Sequence, residues 1–285
     1  MISYFFYLAT EALALSMPIK LSYAVAVFLS SLYYLFAFRD RRMVTENLKI
    51  IFPDKSEKEI YAIRLRVFHN FAKYLVDFLR FKKLDQGYIK DNVKIINIKN
   101  VEEGLAQGKG VILLTAHLGN WELGGMVISQ LGYPLLSVAL PHKSDKVTKF
   151  FNDKRESKGM EVLPLGKAAK GCLRALRQNR LIALVGDRDF TDKGRVTDFF
   201  GKSAILPEGA AVFSLQTDAV IIPGFMLRNK DDSFDLVFEK HLQFTLTGCR
   251  NKDLDIVISE CKAVFEKYIR SYPDQWYMFR RFWKE

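Results

Sequence analysis

The chain has 285 residues, of which 49% are apolar and 26% charged, with 23 Phe, 12 Tyr and a formal net charge of +11. This composition excludes a disordered chain and provides for one substantial core. Cys172, Cys249 and Cys261 are odd in number and lack CxxC spacing, which argues against a disulfide framework and for a reducing compartment.

Residues 1–42 stand apart as a hydrophobic, membrane-associating segment. Leu21 to Phe38 carries no charge and stops at RDRR, residues 39–42. At 18 residues it sits at the lower limit for a bilayer span, which needs about 20. A signal peptide fits poorly, because a basic amino end and a small-residue cleavage site are both lacking. The segment is therefore expected either to span or lie at a membrane with RDRR on the cytoplasmic side, or to form a hairpin broken at Pro18 and packed on the body.

Residues 43–285 are expected to form an α/β domain, with 43–90 as a helical lead-in. Ser56 followed by Glu59 marks a capping box, and Ile60, Ile63, Val67, Phe71, Tyr74, Phe78 and Leu79 follow a helical period. His69, within that helix, is expected to be structural. From about 93 strands and helices alternate. Strands are expected at 93–98, 110–116, 135–140, 162–165, 181–186, 219–227 and 234–239. Helices are expected at 100–107 with Asn100 as cap, 121–131, 144–158, 167–179 and 252–271. Such alternation implies a central β-sheet flanked by helices on both faces.

The stretch TAHLGNWELGG, residues 115–125, places His117 just past the carboxyl end of an apolar strand and Glu122 in the first turn of the next helix. Ligand sites of open α/β sheets lie there. A carboxylate on one imidazole nitrogen fixes the tautomer and leaves the other nitrogen to accept a proton, which equips the pair for general-base catalysis on a hydroxyl. The sequence has neither GxSxG nor HExxH, so no covalent nucleophile or metal is called for. By itself a His and Glu at this spacing also fits a simple helix cap. Trp121, Leu123, Met126 and Val127 are expected either to wall an apolar groove or to belong to the core.

HLGNWE resembles the HxxxxD/E motif of the lysophospholipid acyltransferase superfamily, in the form typical of the lipid A biosynthesis acyltransferases (the lauroyl and myristoyl transferase group) and of related mannoside acyltransferases. MVTENLKIIFPDKS (43–56), DRDFTDKGRVTDFFGKSAILPEGAAVFS (187–214) and YPDQWYMFRRFW (272–283) are similar to further blocks of that family. The resemblance implies an acyltransferase αβα sandwich that transfers a fatty acyl group from an acyl carrier protein or acyl-coenzyme A to a glycolipid hydroxyl, with no cofactor beyond that donor. By position His117 matches the base and Glu122 its carboxylate partner. Arg155, Asp187, Asp189 and Asn120 are implied at the substrate. The partners implied are the donor, the glycolipid acceptor and membrane lipids, at the cytoplasmic face of the inner (plasma) membrane. The basic residues of 143–158 and 167–180 fit a solvated face equally with a phosphorylated glycolipid or an acidic carrier. Nucleic acid is not expected, since no basic–aromatic signature, zinc-finger spacing or basic arm is present. The rivals are a glycerolipid acyltransferase of the same superfamily and a non-catalytic membrane-bound scaffold.

Overall fold

The computed structural model describes residues 2–190 and 194–283; residues 191–193, inside the 187–214 block, lie outside it, as do 1 and 284–285. The amino-terminal helices are α1 (Ile2–Ser16), α2 (Ile19–Phe36), α3 (Phe38–Ile51) and α4 (Glu57–Leu79). Pro18 separates α1 from α2, and Ala37 separates α2 from α3. The amino-terminal segment is thus two helices broken at Pro18, both packed against α4. One face of α2 is tied to α4 along its length: Tyr23 donates to Asp77, Ser30 Oγ donates to the Phe68 carbonyl at 3.0 Å, Ser31 Oγ lies 2.9 Å from His69 Nε2, and Arg64 Nε donates to Tyr34 Oη at 2.8 Å. The other face leaves Phe28, Leu29, Leu32, Leu35 and Phe36 exposed. The capping box is present: Ser56 N–H donates to Glu59 Oε2 at 3.0 Å, and Glu59 N–H donates back to Ser56 Oγ at 3.4 Å.

The rest of the chain runs α5 (Gln86–Asn92), β1 (Val93–Ile96), α6 (Lys99–Ala106), β2 (Val111–Thr115), α7 (Trp121–Gln130), β3 (Leu135–Ala139), α8 (Asp145–Glu156), β4 (Glu161–Pro164), α9 (Ala168–Arg177), β5 (Leu181–Val185), β6 (Arg195–Phe199), β7 (Lys202–Leu206), α10 (Gly209–Thr217), β8 (Val220–Arg228), β9 (Phe234–Phe238) and α11 (Arg250–Ser271). Among the described residues seven strands form one sheet in the order β1-β9-β8-β2-β5-β3-β4. All neighbours are parallel except β8 and β9. Along β2, Val111 and Leu113 face a core layer built with α4, α6 and α7, while Ile112 and Leu114 face another built with α9, α10 and α11. A central strand covered on both faces needs consecutive apolar residues, as β2 has from Val111 to Leu114.

Two local expectations differ. The helix at 99 begins without a side-chain cap; Asn100 instead donates from Nδ2 to the Phe238 carbonyl at 3.0 Å, joining the helix to β9. The antiparallel pair β6–β7 and helix α10 were not foreseen. Their turn holds Phe200 at φ 53° and Gly201 at φ 76°, a left-handed pair that sequence normally announces with Asn-Gly. Phe200 tolerates it because its ring packs on Phe199 and its amide donates to Glu266 Oε1 at 2.6 Å.

Candidate active site

The sheet sets the central geometry of the site. β2 and β5 are parallel neighbours with Thr115 opposite Val185. Two residues beyond each, at the carboxyl edge, stand His117 and Asp187. His117 Nδ1 lies 2.6 Å from Asp187 Oδ1, and the His117 amide donates to the same oxygen at 3.1 Å. Asp187 Oδ2 accepts from the indole Nε1 of Trp276 at 2.9 Å. Burial alone would raise this carboxyl. The His117 charge and hydrogen bond, the Arg188 charge and the Trp276 indole outweigh it and hold Asp187 well below the usual carboxylate range. An ionised Asp187 accepts only, so Nδ1 carries the proton and Nε2 is left as an acceptor.

The expected pairing of Glu122 with His117 is therefore corrected. Glu122 turns toward α8 and forms a two-pronged ion pair with Arg155, Nη2 to Oε1 at 2.6 Å and Nε to Oε2 at 2.8 Å. A residue in the first turn of α7 leaves the helix on the α8 side, whereas the adjacent strand delivers Asp187 straight to the imidazole. Arg155 also donates from Nη1 to Asn152 Oδ1 at 3.1 Å. Its charge is spent on closing α7 onto α8.

Asn120 is corrected as well. Expected at the substrate, it is 1% exposed and engages both ends of its amide internally: Oδ1 accepts from the Leu123 amide at 3.1 Å as the cap of α7, and Nδ2 donates to Asp77 Oδ2 at 2.8 Å. Asp189 lines the cavity described below and accepts from the Gly194 amide at 2.9 Å.

The His117 turn is clamped by three backbone hydrogen bonds to two segments. Gly119 N–H donates to the Gln275 carbonyl at 2.9 Å, Asn120 N–H to the Met226 carbonyl at 2.8 Å, and Tyr277 N–H to the His117 carbonyl at 2.9 Å. Gly119 has φ +65°, and a Cβ there would lie 2.0 Å from the Met226 oxygen, so only glycine fits. The carboxyl-terminal block 275–277 thus braces both members of the pair, a role that sequence reasoning missed.

Beside His117 opens a cavity of about 640 Å³, within the usual range for small-molecule sites. It passes over the ends of β2, β5 and β3. One side is walled by Trp121, Gly125, Met160 and His142, the other by Leu165, Ala168, Leu206, Phe213, Ile258 and Phe265. Most of this lining is apolar, with Glu122, Arg155, Arg188, Asp189 and Glu208 as its charged groups. Of the α7 residues considered for a groove wall, Trp121 lines the cavity, whereas Leu123, Met126 and Val127 are core residues. A larger, more open depression of about 810 Å³ by His241–Leu246 shares no lining residue with this cavity. Among the described residues no three His, Cys, Asp or Glu side chains gather as a metal-ligand set.

A phosphatidylinositol mannoside acyltransferase of Mycolicibacterium smegmatis is 28% identical over 218 residues, covering 75% of this chain and 70% of that one. One from Mycobacterium tuberculosis is 29% identical over 192 residues, 65% of this chain and 58% of the other. A lipid A biosynthesis palmitoleoyltransferase of Escherichia coli is 22% identical over 272 residues, 93% of this chain and 87% of that protein. The family model described as bacterial lipid A biosynthesis acyltransferase matches residues 1–285, and the chain belongs to that family of acyltransferases.

Proposed function

We propose that this protein moves a fatty acyl group from a thioester donor, acyl carrier protein or acyl-coenzyme A, to a hydroxyl of a glycolipid, with His117 as general base and Asp187 as its orienting carboxylate. The observation that carries this reading is the 2.6 Å contact between His117 Nδ1 and a buried, ionised Asp187 at the head of a largely apolar cavity. The acyl chain lies in the cavity with its thioester carbonyl near the mouth. Nε2 takes the proton of the acceptor hydroxyl as its oxygen attacks that carbonyl. The C–S bond then breaks, and the departing thiolate recovers the proton from the imidazolium. Asp187 stabilises the imidazolium between these steps. Glu122 and Arg155 hold α7 against α8 and keep the cavity's shape, and Asp189 is tied to the Gly194 amide. A glycolipid acceptor is supported by the relatives, whose names point to phosphatidylinositol mannoside and lipid A.

In the same reading the chain works at the cytoplasmic face of the inner membrane, with α1 and α2 lying in the interface and not crossing it. Support comes from α2 itself: it is apolar enough to span, with mean hydropathy 1.5, yet one face is hydrogen-bonded to α4 from Tyr23 to Tyr34. Replacing His117 with Ala tests the chemistry. Acyl transfer is expected to fall by a factor of ~10² or more with the fold intact; near-normal turnover would end the proposal.

A further inference from the structure

Arg188 was singled out by no motif, yet it lines the cavity next to Asp187. Its Nη2 donates to the Tyr277 carbonyl, and its Nε is buried with no hydrogen-bond partner among the described residues. Arg155 and Arg228, the other arginines buried beside the site, are each closed by carboxylates. Among the described residues no carboxylate oxygen comes within ion-pairing distance of Arg188; the two oxygens of nearby Asp187 are taken by His117 and Trp276. A second cation stands close by. The guanidinium of Arg280 lies 5.2 Å above the ring of Phe190, itself 6.2 Å from the His117 ring. Burial and the Arg280 charge both weaken proton binding by Arg188, against the pull of Asp187. Asp187 attracts Arg188 through space, but its two oxygens are already engaged, so the guanidinium facing the cavity keeps donor capacity for an arriving anion.

Resting on the acyl-transfer reading, we propose that Arg188, with Arg280 at the rim, binds a phosphate group of a substrate while His117 acts on the hydroxyl. The planar guanidinium fork matches phosphate oxygens, and a partly buried donor strengthens such bonds. Arg155, engaged by Glu122, is not free for this task.

The phosphate belongs either to the acceptor headgroup or to the donor, and two arms separate them. In the first, wild type is given a phosphorylated disaccharide lipid or its dephosphorylated counterpart, with one fixed donor. In the second, lauroyl-coenzyme A is compared with lauroyl-pantetheine, which carries no phosphate, with one fixed acceptor. One arm should favour the phosphorylated member by about ten- to hundredfold in kcat/KM, the worth of hydrogen bonds to a charged group. Arg188→Met should erase that preference through KM, Arg280→Met should weaken it, and Arg188→Lys should restore part of it. Thermal midpoints report folding: Arg188→Met loses the hydrogen bond to the Tyr277 carbonyl and the attraction of Asp187, so a modest drop is expected, while the substrate preference is the readout that a purely structural arginine does not move. Equal losses on all four substrates would mark a structural arginine and overturn the proposal, as would a wild-type preference of one in both arms. Wild-type transfer to neither acceptor would strike the acyl-transfer reading itself.

Discussion

Asp187→Asn separates the observed pair from the one expected from HLGNWE. The substitution keeps the size of the side chain and removes its charge. At the observed 2.6 Å, a full charge pair in a medium of effective dielectric about 20 is worth about 6 kcal/mol, an upper bound for what Asp187 lends the imidazolium. The amide also offers an N–H where an acceptor is needed, which favours the wrong imidazole tautomer. We expect kcat to fall by a factor of ~10²–10⁴, or about 3–5 kcal/mol of barrier. Stability changes too, and its sign follows from linkage. The folded carboxyl is held below its unfolded value of about 3.9, so its ionisation stabilises the fold above that pH and ceases to do so as pH falls toward the folded value. Asp187→Asn should thus be less stable than wild type at neutral pH, with the gap closing on acidification. The companion change, Glu122→Gln, leaves the Arg155 charge unpaired where both side chains are only 12% exposed, and should cost about 2–4 kcal/mol of stability with a smaller loss of kcat. Thiol release from the donor, followed with and without acceptor, reads kcat, and urea titration reads stability. Near-normal kcat for Asp187→Asn beside a thousandfold loss for a stably folded Glu122→Gln would refute the assignment.

Further outcomes follow from the geometry. Gly119→Ala meets both the φ of +65° and the Met226 carbonyl, and should cost about 3 kcal/mol or more in urea titration, with activity lost alongside; an unchanged midpoint would contradict the turn as described. Burial pushes the thiol of Cys172 up to about 11 and that of Cys261 up to about 12, while Cys249 is exposed. Iodoacetamide at pH 8 should therefore label Cys249 in peptide mass spectra well before the other two, and equal labelling would count against their burial. Phe28 and Phe36 are 62% and 76% exposed on α2. Changing both to Asp should leave the thermal midpoint in place and reduce flotation with anionic vesicles; undiminished flotation would remove α2 from the membrane contact.

Much of the fold was legible because its elements are local patterns: the apolar run of β2, the Ser56–Glu59 box and the strand–helix alternation all lie where the residues announce them. Helix α10 and the β6–β7 pair were hidden for a physical reason. Their turn relies on Phe200 in a left-handed conformation that only tertiary packing stabilises, so no turn residue flagged it. The site was legible in its histidine and not in its partner. Spacing within HLGNWE suggested Glu122, but pairing across a parallel sheet is non-local. A usable signal did exist: His117 and Asp187 each stand two residues beyond an apolar strand, which matters only once those strands are known to be neighbours. Asn120 was misjudged because a cap and a ligand contact draw on the same amide chemistry, and burial alone tells them apart.

Two adjacent parallel strands running in step have a further effect at their ends. The base and its acid each stand two residues past a paired neighbour on strands about 4.8 Å apart, so the sheet, and not a loop that must close around cargo, brings them together. Such a pair is ready before either lipid arrives. Evolution can then lengthen or redecorate the surrounding loops to accept new headgroups without retuning the proton-transfer distance.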